Sequence, residues 1–199
     1  MKSVLKYLSP VIIIIGLYFI FKEKEITHPP GILAPSPPHQ EKIKKNSEWV
    51  KQDFNFRGVA HFDITARVLS KRYYGSDDMS DFCPVDLALG WGRMSDQSVI
   101  DELDIKQQHR WYIWRTKRFP IPKKEIELSS SNIHIIPSSD DVEESLDDIV
   151  RGNIINIKGK LVNVNRVGEK FKWKSSTRRD DTGGGACEIL WAENIKVLR

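Results

Sequence analysis

The densest group of reactive side chains is Thr177-Arg178-Arg179-Asp180-Asp181-Thr182-Gly183-Gly184-Gly185-Ala186-Cys187-Glu188. Three glycines before a cysteine admit two kinds of chemistry. A phosphate-cradling loop aims backbone amides at an anion, but it opens onto a helix and carries a Lys-Ser/Thr pair. Here Glu188-Ile189-Leu190-Trp191 follows with a strand pattern, which argues against it. A nucleophilic cysteine needs a base, and His134 or His61 could serve. No recognisable nucleophile signature surrounds Cys187. The structural alternative is a hairpin connection in which glycine supplies positive φ and Cys187 is a small buried residue. Cys83 is the other cysteine. In an oxidising compartment the two are the one possible intramolecular disulfide, closing a loop worth roughly 4–5 kcal/mol in the entropic model. Two free, buried thiols are the other outcome.

Metal and cofactor chemistry find little support. His61, His109 and His134 lie far apart and form no ligand pair at short spacing. Asp77, Asp78 and Asp81 lack the glycine and closing glutamate of a calcium loop. Neither metal nor cofactor is expected. His134 sits in the apolar run Ile133-His134-Ile135-Ile136, as a core or edge histidine would. The aromatic-basic strand Arg110 to Arg118 has the composition of a base-stacking platform. Its alternation puts Trp111, Ile113 and Arg115 on one face and Tyr112, Trp114 and Thr116 on the other, and one face has to fill a core. Arg115, His134, Arg179 and Asp181 are the candidate binding-surface residues; no catalytic residue is assigned.

The elements that must position these groups are mostly strands. Val59 to Val68 alternates apolar and polar residues, as a half-buried strand does. Asp86 to Met94 and Arg110 to Thr116 read as the second and third strands. Asp140 to Val150 is the clearest helix, with Val142, Leu146, Ile149 and Val150 on one stripe. Asp140 and Glu143 have capping-box spacing, and Gly152 ends the helix. Asn153 to Val164 is a long strand with a bend or bulge at Gly159. Phe171 to Ser175, Ala186 to Trp191 and Ile195 to Leu198 complete the set. The fold class is mainly β (α+β): a small OB-like barrel, with its helix between the third and fourth strands, or a mixed antiparallel one. The segment Arg151 to Val162 is similar to the fourth strand of OB-like domains.

The amino terminus is organised differently. Lys2 and Lys6 precede an apolar run from Tyr7 to Phe21, closed by Lys22-Glu23-Lys24-Glu25. No small-x-small cleavage site follows, so residues 1–25 read as a retained transmembrane anchor rather than a removed signal peptide, which is the alternative. Residues 26–47 hold Pro29, Pro30, Pro35, Pro37 and Pro38 and read as an extended tether. Residues 48–199 form one domain. The net charge of +4 belongs to residues 1–47; the domain carries equal numbers of acids and bases. That removes the bulk case for nucleic-acid binding, although Lys106–Lys124 and Lys158–Arg179 remain strongly basic.

The segments Leu87-Ala88-Leu89-Gly90-Trp91-Gly92-Arg93-Met94-Ser95-Asp96, Trp114-Arg115, Asn132-Ile133-His134-Ile135-Ile136-Pro137 and Asp181 to Glu188 carry a resemblance over most of residues 59–193. They resemble a family of uncharacterised bacterial membrane-anchored envelope proteins with no established activity. The resemblance implies a bacterial source and a polar surface around these segments, without a mechanism.

The expectation is a non-enzymatic binding or scaffold domain. It would be held by a single pass in the inner (cytoplasmic) membrane, with the domain periplasmic or otherwise extracytoplasmic. Its partner would be an envelope protein or an anionic cell-wall or lipid ligand. The alternatives are a cysteine-dependent enzyme using Cys187 with His134, and an OB-like nucleic-acid-binding module.

Overall fold

The computed structural model describes residues 25–181 and 183–199. The expected anchor lies outside them, apart from Glu25. Among the described residues no helix is long and apolar enough to cross a membrane.

The chain forms β1 (His39–Lys42), β2 (Glu48–Lys51), β3 (Phe54–Tyr73), β4 (Val85–Gly90), a 3-10 turn (Gly92–Ser95) and α1 (Gln97–Ile100). It continues through β5 (Asp104–Gln108), β6 (Trp111–Arg115), α2 (Lys123–Leu128), β7 (Ser130–Pro137) and α3 (Asp140–Asp147). It ends with β8 (Ile154–Arg166), β9 (Lys172–Lys174) and β10 (Glu188–Val197). The fold is mainly β, with a mixed sheet. Five strands pair in a closed ring: β3 with β4, β4 with β7, β7 with β10, β10 with β8, and β8 back to β3. The β7–β10 pairing is parallel and the others antiparallel. Closure leaves none of the five with a free edge.

Alternation decides what fills the ring. Ala60, Phe62, Ile64, Ala66 and Val68 of β3 meet Leu87, Ile133, Ile157 and Leu190. Val142, Leu146 and Ile149, from α3 and the turn after it, join the same core. Helix α3 is capped by Ser139, whose hydroxyl accepts from the Val142 N–H at 3.4 Å, and not by Asp140. Its acidic first turn complements the positive helix start. Gly159 lies where β8 and β10 close in: a Cβ there would meet the Trp191 carbonyl oxygen at 2.0 Å. The register shift opposite it falls in β10, between Ala192 and Asn194, and not at Gly159 in β8, where the sequence suggested a bend or bulge.

Two expectations need correction. The aromatic strand Trp111–Arg115 is not part of the ring; it pairs with β5 in a separate hairpin. The third ring strand is β7, which places Ile133 and Ile135 in the core. A ring strand needs one fully apolar face, whereas β6 offers only the half-buried Tyr112 and Trp114. These pack on a second cluster with Leu69, Ala88, Met94 and Ile126.

The second correction concerns residues 26–47, which lie on the domain instead of spacing it from the anchor. The Ile26 N–H donates to the Arg151 carbonyl at 2.9 Å, and the His28 N–H to Gln97 Oε1 at 2.9 Å. The Gly31 N–H donates to Asp96 Oδ1 at 3.0 Å. The Leu33 and Ala34 N–H groups donate to Ser95 Oγ at 3.1 and 3.0 Å. Further on, β1 pairs with β3. The sequence argument required apolar residues for docking. Polar acceptors hold this strap instead, taking up the N–H groups that the prolines leave. Beneath it the fully buried Arg67 donates to Gln97 Oε1 and, at 3.3 Å, to the Ser95 carbonyl.

Candidate functional site

The period-two rule puts Asn132 and His134 of β7 on the outer face of the ring, away from Ile133 and Ile135. The β4–β7 register sets Asp86 opposite His134 and Ala88 opposite Asn132. Asp86, fully buried, is thus delivered between two polar side chains. Its Oδ1 lies 2.8 Å from His134 Nδ1, and its Oδ2 accepts from Asn132 Nδ2 at 3.3 Å.

The third member comes from the tip of the outlying hairpin. Gln108 pairs with Trp111, leaving His109 and Arg110 as a two-residue turn. Both have positive φ, 51° and 66°, the type I′ geometry that glycine and asparagine usually supply. Side-chain contacts hold Arg110 in this conformation. It donates to Asp86 Oδ1 at 2.9 Å and to both oxygens of Asp77 at 2.9 and 2.8 Å. It also stacks on the Tyr74 ring at 3.9 Å. This clamp holds the Asp77 carboxyl below the ordinary carboxylate range, and it raises Arg110 although burial opposes that. The Asn132 amide completes the network, donating to the Arg110 carbonyl at 3.2 Å and accepting from Gln107 Nε2 at 2.6 Å.

Above this network lies a cleft of about 220 Å³ between the hairpin and the loop before β10. Trp111, Tyr112 and Trp114 line one side, and Asp181, Gly183, Ala186 and Cys187 the other. Ser130, Ser131 and Asn132 form its floor, with Glu127 at the margin. Asn132 thus joins cleft and network.

The sequence candidates separate. Asp181 lines the cleft and accepts from Ser176 Oγ at 2.6 Å. His134 is buried with its ring 4.6 Å from that of Trp173. Arg179 is paired with Glu188 and lies over Phe62. Arg115 belongs to another hollow, with Asp101 and Asp104. His61 is exposed on β3, opposite Lys160 of β8.

Cys83 and Cys187 are both free thiols, so the disulfide considered from the sequence is not formed. Other groups lie beside each: Arg110 Nη1 is 3.8 Å from Cys83 Sγ, and the Asn132 amide pulls the Cys187 thiol down a little. Burial, with Glu188 adding to it, pushes the Cys187 thiol up to about 12. Burial raises Cys83 as well. Among the described residues no group of three His, Cys, Asp or Glu side chains is placed to hold a metal.

Glu188 faces the opposite way, into the ring, where it meets Arg179 and Ser131. Burial pushes its carboxyl up to about 7, against the pull of Arg179 and Ser131. The protonated form therefore favours the fold. Its contribution is complete below the ordinary value of 4.5 and is lost as pH rises to about 7. Glu188→Gln keeps the neutral shape. Its stability relative to the parent is expected to be greater at pH 8 than at pH 5, by on the order of 2 kcal/mol. Urea unfolding of both proteins at the two pH values measures this; a pH-independent difference would mean that the carboxyl stays ionised.

The residues that sequence reasoning missed are Asp86, Arg110, Asn132 and Glu188. Asp86 carried a signal: it is a lone acid in the apolar run Val85 to Leu89, and a buried charge needs a partner. Part of the basic run Lys158–Arg179 is neutralised by acids. Lys158 pairs with Asp63, Lys160 with Glu193 and Arg178 with Asp180.

Comparison with protein-family models, with curated proteins and with solved structures finds no match to this chain.

Proposed function

We propose that this protein is a membrane-tethered binding domain of the bacterial envelope, with the domain on the periplasmic side and the cleft beside Trp111 as its recognition site. The observation that carries the reading is the cleft's build: an aromatic wall over a floor fixed by the buried network of Asp86, Arg110 and Asn132. A rigid floor holds polar groups in place at little ordering cost to the ligand complex.

The strand order of the ring, with α3 between its third and fourth members, supports an OB-like barrel. Such barrels bind oligonucleotides and oligosaccharides on the face of strands two and three and on nearby loops. The cleft occupies the corresponding place, against β7 and the loop preceding β10. Among the described residues its lining contains Glu127 and Asp181 but neither lysine nor arginine. Phosphate backbones require cations, so the lining favours a neutral polyhydroxylated ligand, a saccharide of the cell wall, over nucleic acid or the anionic ligand expected from sequence. Catalysis by Cys187 is disfavoured because burial pushes its thiol up to about 12, which leaves little thiolate at neutral pH.

Two measurements test this. Tryptophan fluorescence should change on titration with an N-acetylglucosamine oligomer and not with single-stranded DNA. Trp111→Ala should weaken that binding by roughly tenfold, about 1.4 kcal/mol. Iodoacetamide at pH 8 should modify Cys187 roughly a thousandfold more slowly than a free cysteine, following its thiolate fraction. DNA binding without saccharide binding, or rapid alkylation of Cys187, would overturn the proposal.

A further inference from the structure

We infer that the strap holds the domain against the bilayer, with the end formed by Arg151, Lys196, Leu198 and Arg199 facing the lipid headgroups. The inference rests on the membrane-anchor reading of the apolar run Tyr7–Phe21, and it replaces the picture of a domain held at a distance. Residues 26–47 as a free polyproline-like spacer would reach roughly 70 Å. The strap removes that reach from its first residue onward, because the Ile26 N–H is bonded to the Arg151 carbonyl. Only Lys22-Glu23-Lys24-Glu25 then separates the apolar run from the domain. Four residues span at most about 14 Å. The headgroup layer on each side of a bilayer is itself about 5–8 Å thick. Little more than a layer of water can fit between the two.

The place where the strap begins selects the face. Glu25 pairs with Arg151 at 3.1 Å. The adjoining backbone binds the carboxy-terminal segment: the Ile154 N–H donates to the Arg199 carbonyl at 3.0 Å, and Asn153 Nδ2 to the same oxygen at 2.8 Å. Leu198 and Val197 are 53% and 44% exposed there, flanked by Lys196 and Arg199. Glu25 is the acid paired with Arg151 at this end. Exposed apolar side chains among basic ones suit an interface with anionic lipid, where each basic group near the surface adds attraction.

The test uses the full chain in vesicles of phosphatidylethanolamine and phosphatidylglycerol, with a benzophenone amino acid placed at Leu198 or at Val167. Val167 is 57% exposed and follows the end of β8 remote from the strap's first contact. Lipid crosslinking is expected to be several-fold stronger from position 198 than from 167. It should fall to the level of 167 when Gly152→Ala, or Ile26→Pro, which removes the N–H given to Arg151, releases the start of the strap. Equal crosslinking from both positions, with the chain still in the vesicle fraction, overturns the apposition and leaves the anchor standing. Crosslinking at 198 that survives both substitutions overturns the strap as its cause. A chain that stays out of the vesicles overturns the anchor reading, and the apposition with it.

Discussion

Asp86→Ala is expected to lower the unfolding free energy by about 3 kcal/mol. For a chain of this size that amounts to a fall in Tm of roughly 6–12 °C. Asp86 is fully buried and the Arg110 side chain is 9% exposed. The substitution leaves a buried guanidinium with one of its two carboxylates, and deprives His134 Nδ1 and Asn132 Nδ2 of an acceptor. The loss stays below the top of the range for broken buried ion pairs because Asp77 still neutralises Arg110. A second substitution separates charge from shape. Arg110→Met added to Asp86→Ala should recover part of the loss, since an apolar side chain there needs no partner. Chemical unfolding of the parent, the two single variants and the double variant forms the cycle. Additive losses would show that the two groups do not interact. Because Asn132 floors the cleft, Asp86→Ala should also weaken ligand binding in conditions where the variant is still folded.

Gly152→Ala is expected to cost roughly 2–4 kcal/mol and to free the strap. Gly152 has a φ of 94°, a conformation rarely adopted by residues with a side chain. An added Cβ would also meet the Ile26 carbonyl oxygen at 1.8 Å. The backbone at 152 is tied by its N–H to the Val68 carbonyl at 2.8 Å, so Ile26 is the partner that gives way. His28, whose Nε2 lies 2.8 Å from the Gly152 carbonyl oxygen, would move with it. Limited proteolysis should then cut within 25–36 faster than in the parent, where hydrogen bonds hold this stretch, and the unfolding midpoint should fall. A variant with parental protection and midpoint would show that the strap does not depend on this contact.

The parts of the fold legible in the sequence are those set by local periodicity. The alternation of Ala60 to Val68 named the inward face of β3 correctly, and of the stripe Val142, Leu146, Ile149 and Val150 the first three join the core while Val150 is half-buried. The place of the helix between the third and fourth ring strands was also legible, although Trp111–Arg115 was taken for a strand that β7 supplies. Of the candidate site, Asp181 and Cys187 were visible as chemistry, and both line the cleft. Their surroundings were not visible. Asn132 and Asp86 are 46 positions apart in sequence and meet only through the β4–β7 register. Arg110 reaches them from a turn whose two positive φ values no glycine announced.

By itself the sequence determined the segregation of charge: a basic amino-terminal stretch with an apolar run, ahead of a charge-balanced, strand-rich domain. These are sums and periods along the chain, and folding does not alter them. Tertiary structure decided that the proline-rich stretch is a strap, that Cys83 and Cys187 stay apart, and that a buried carboxylate braces the cleft floor. Each of these depends on a hydrogen bond or ion pair between residues remote in sequence. Such a partner is fixed only when closure of the ring brings the strands into register.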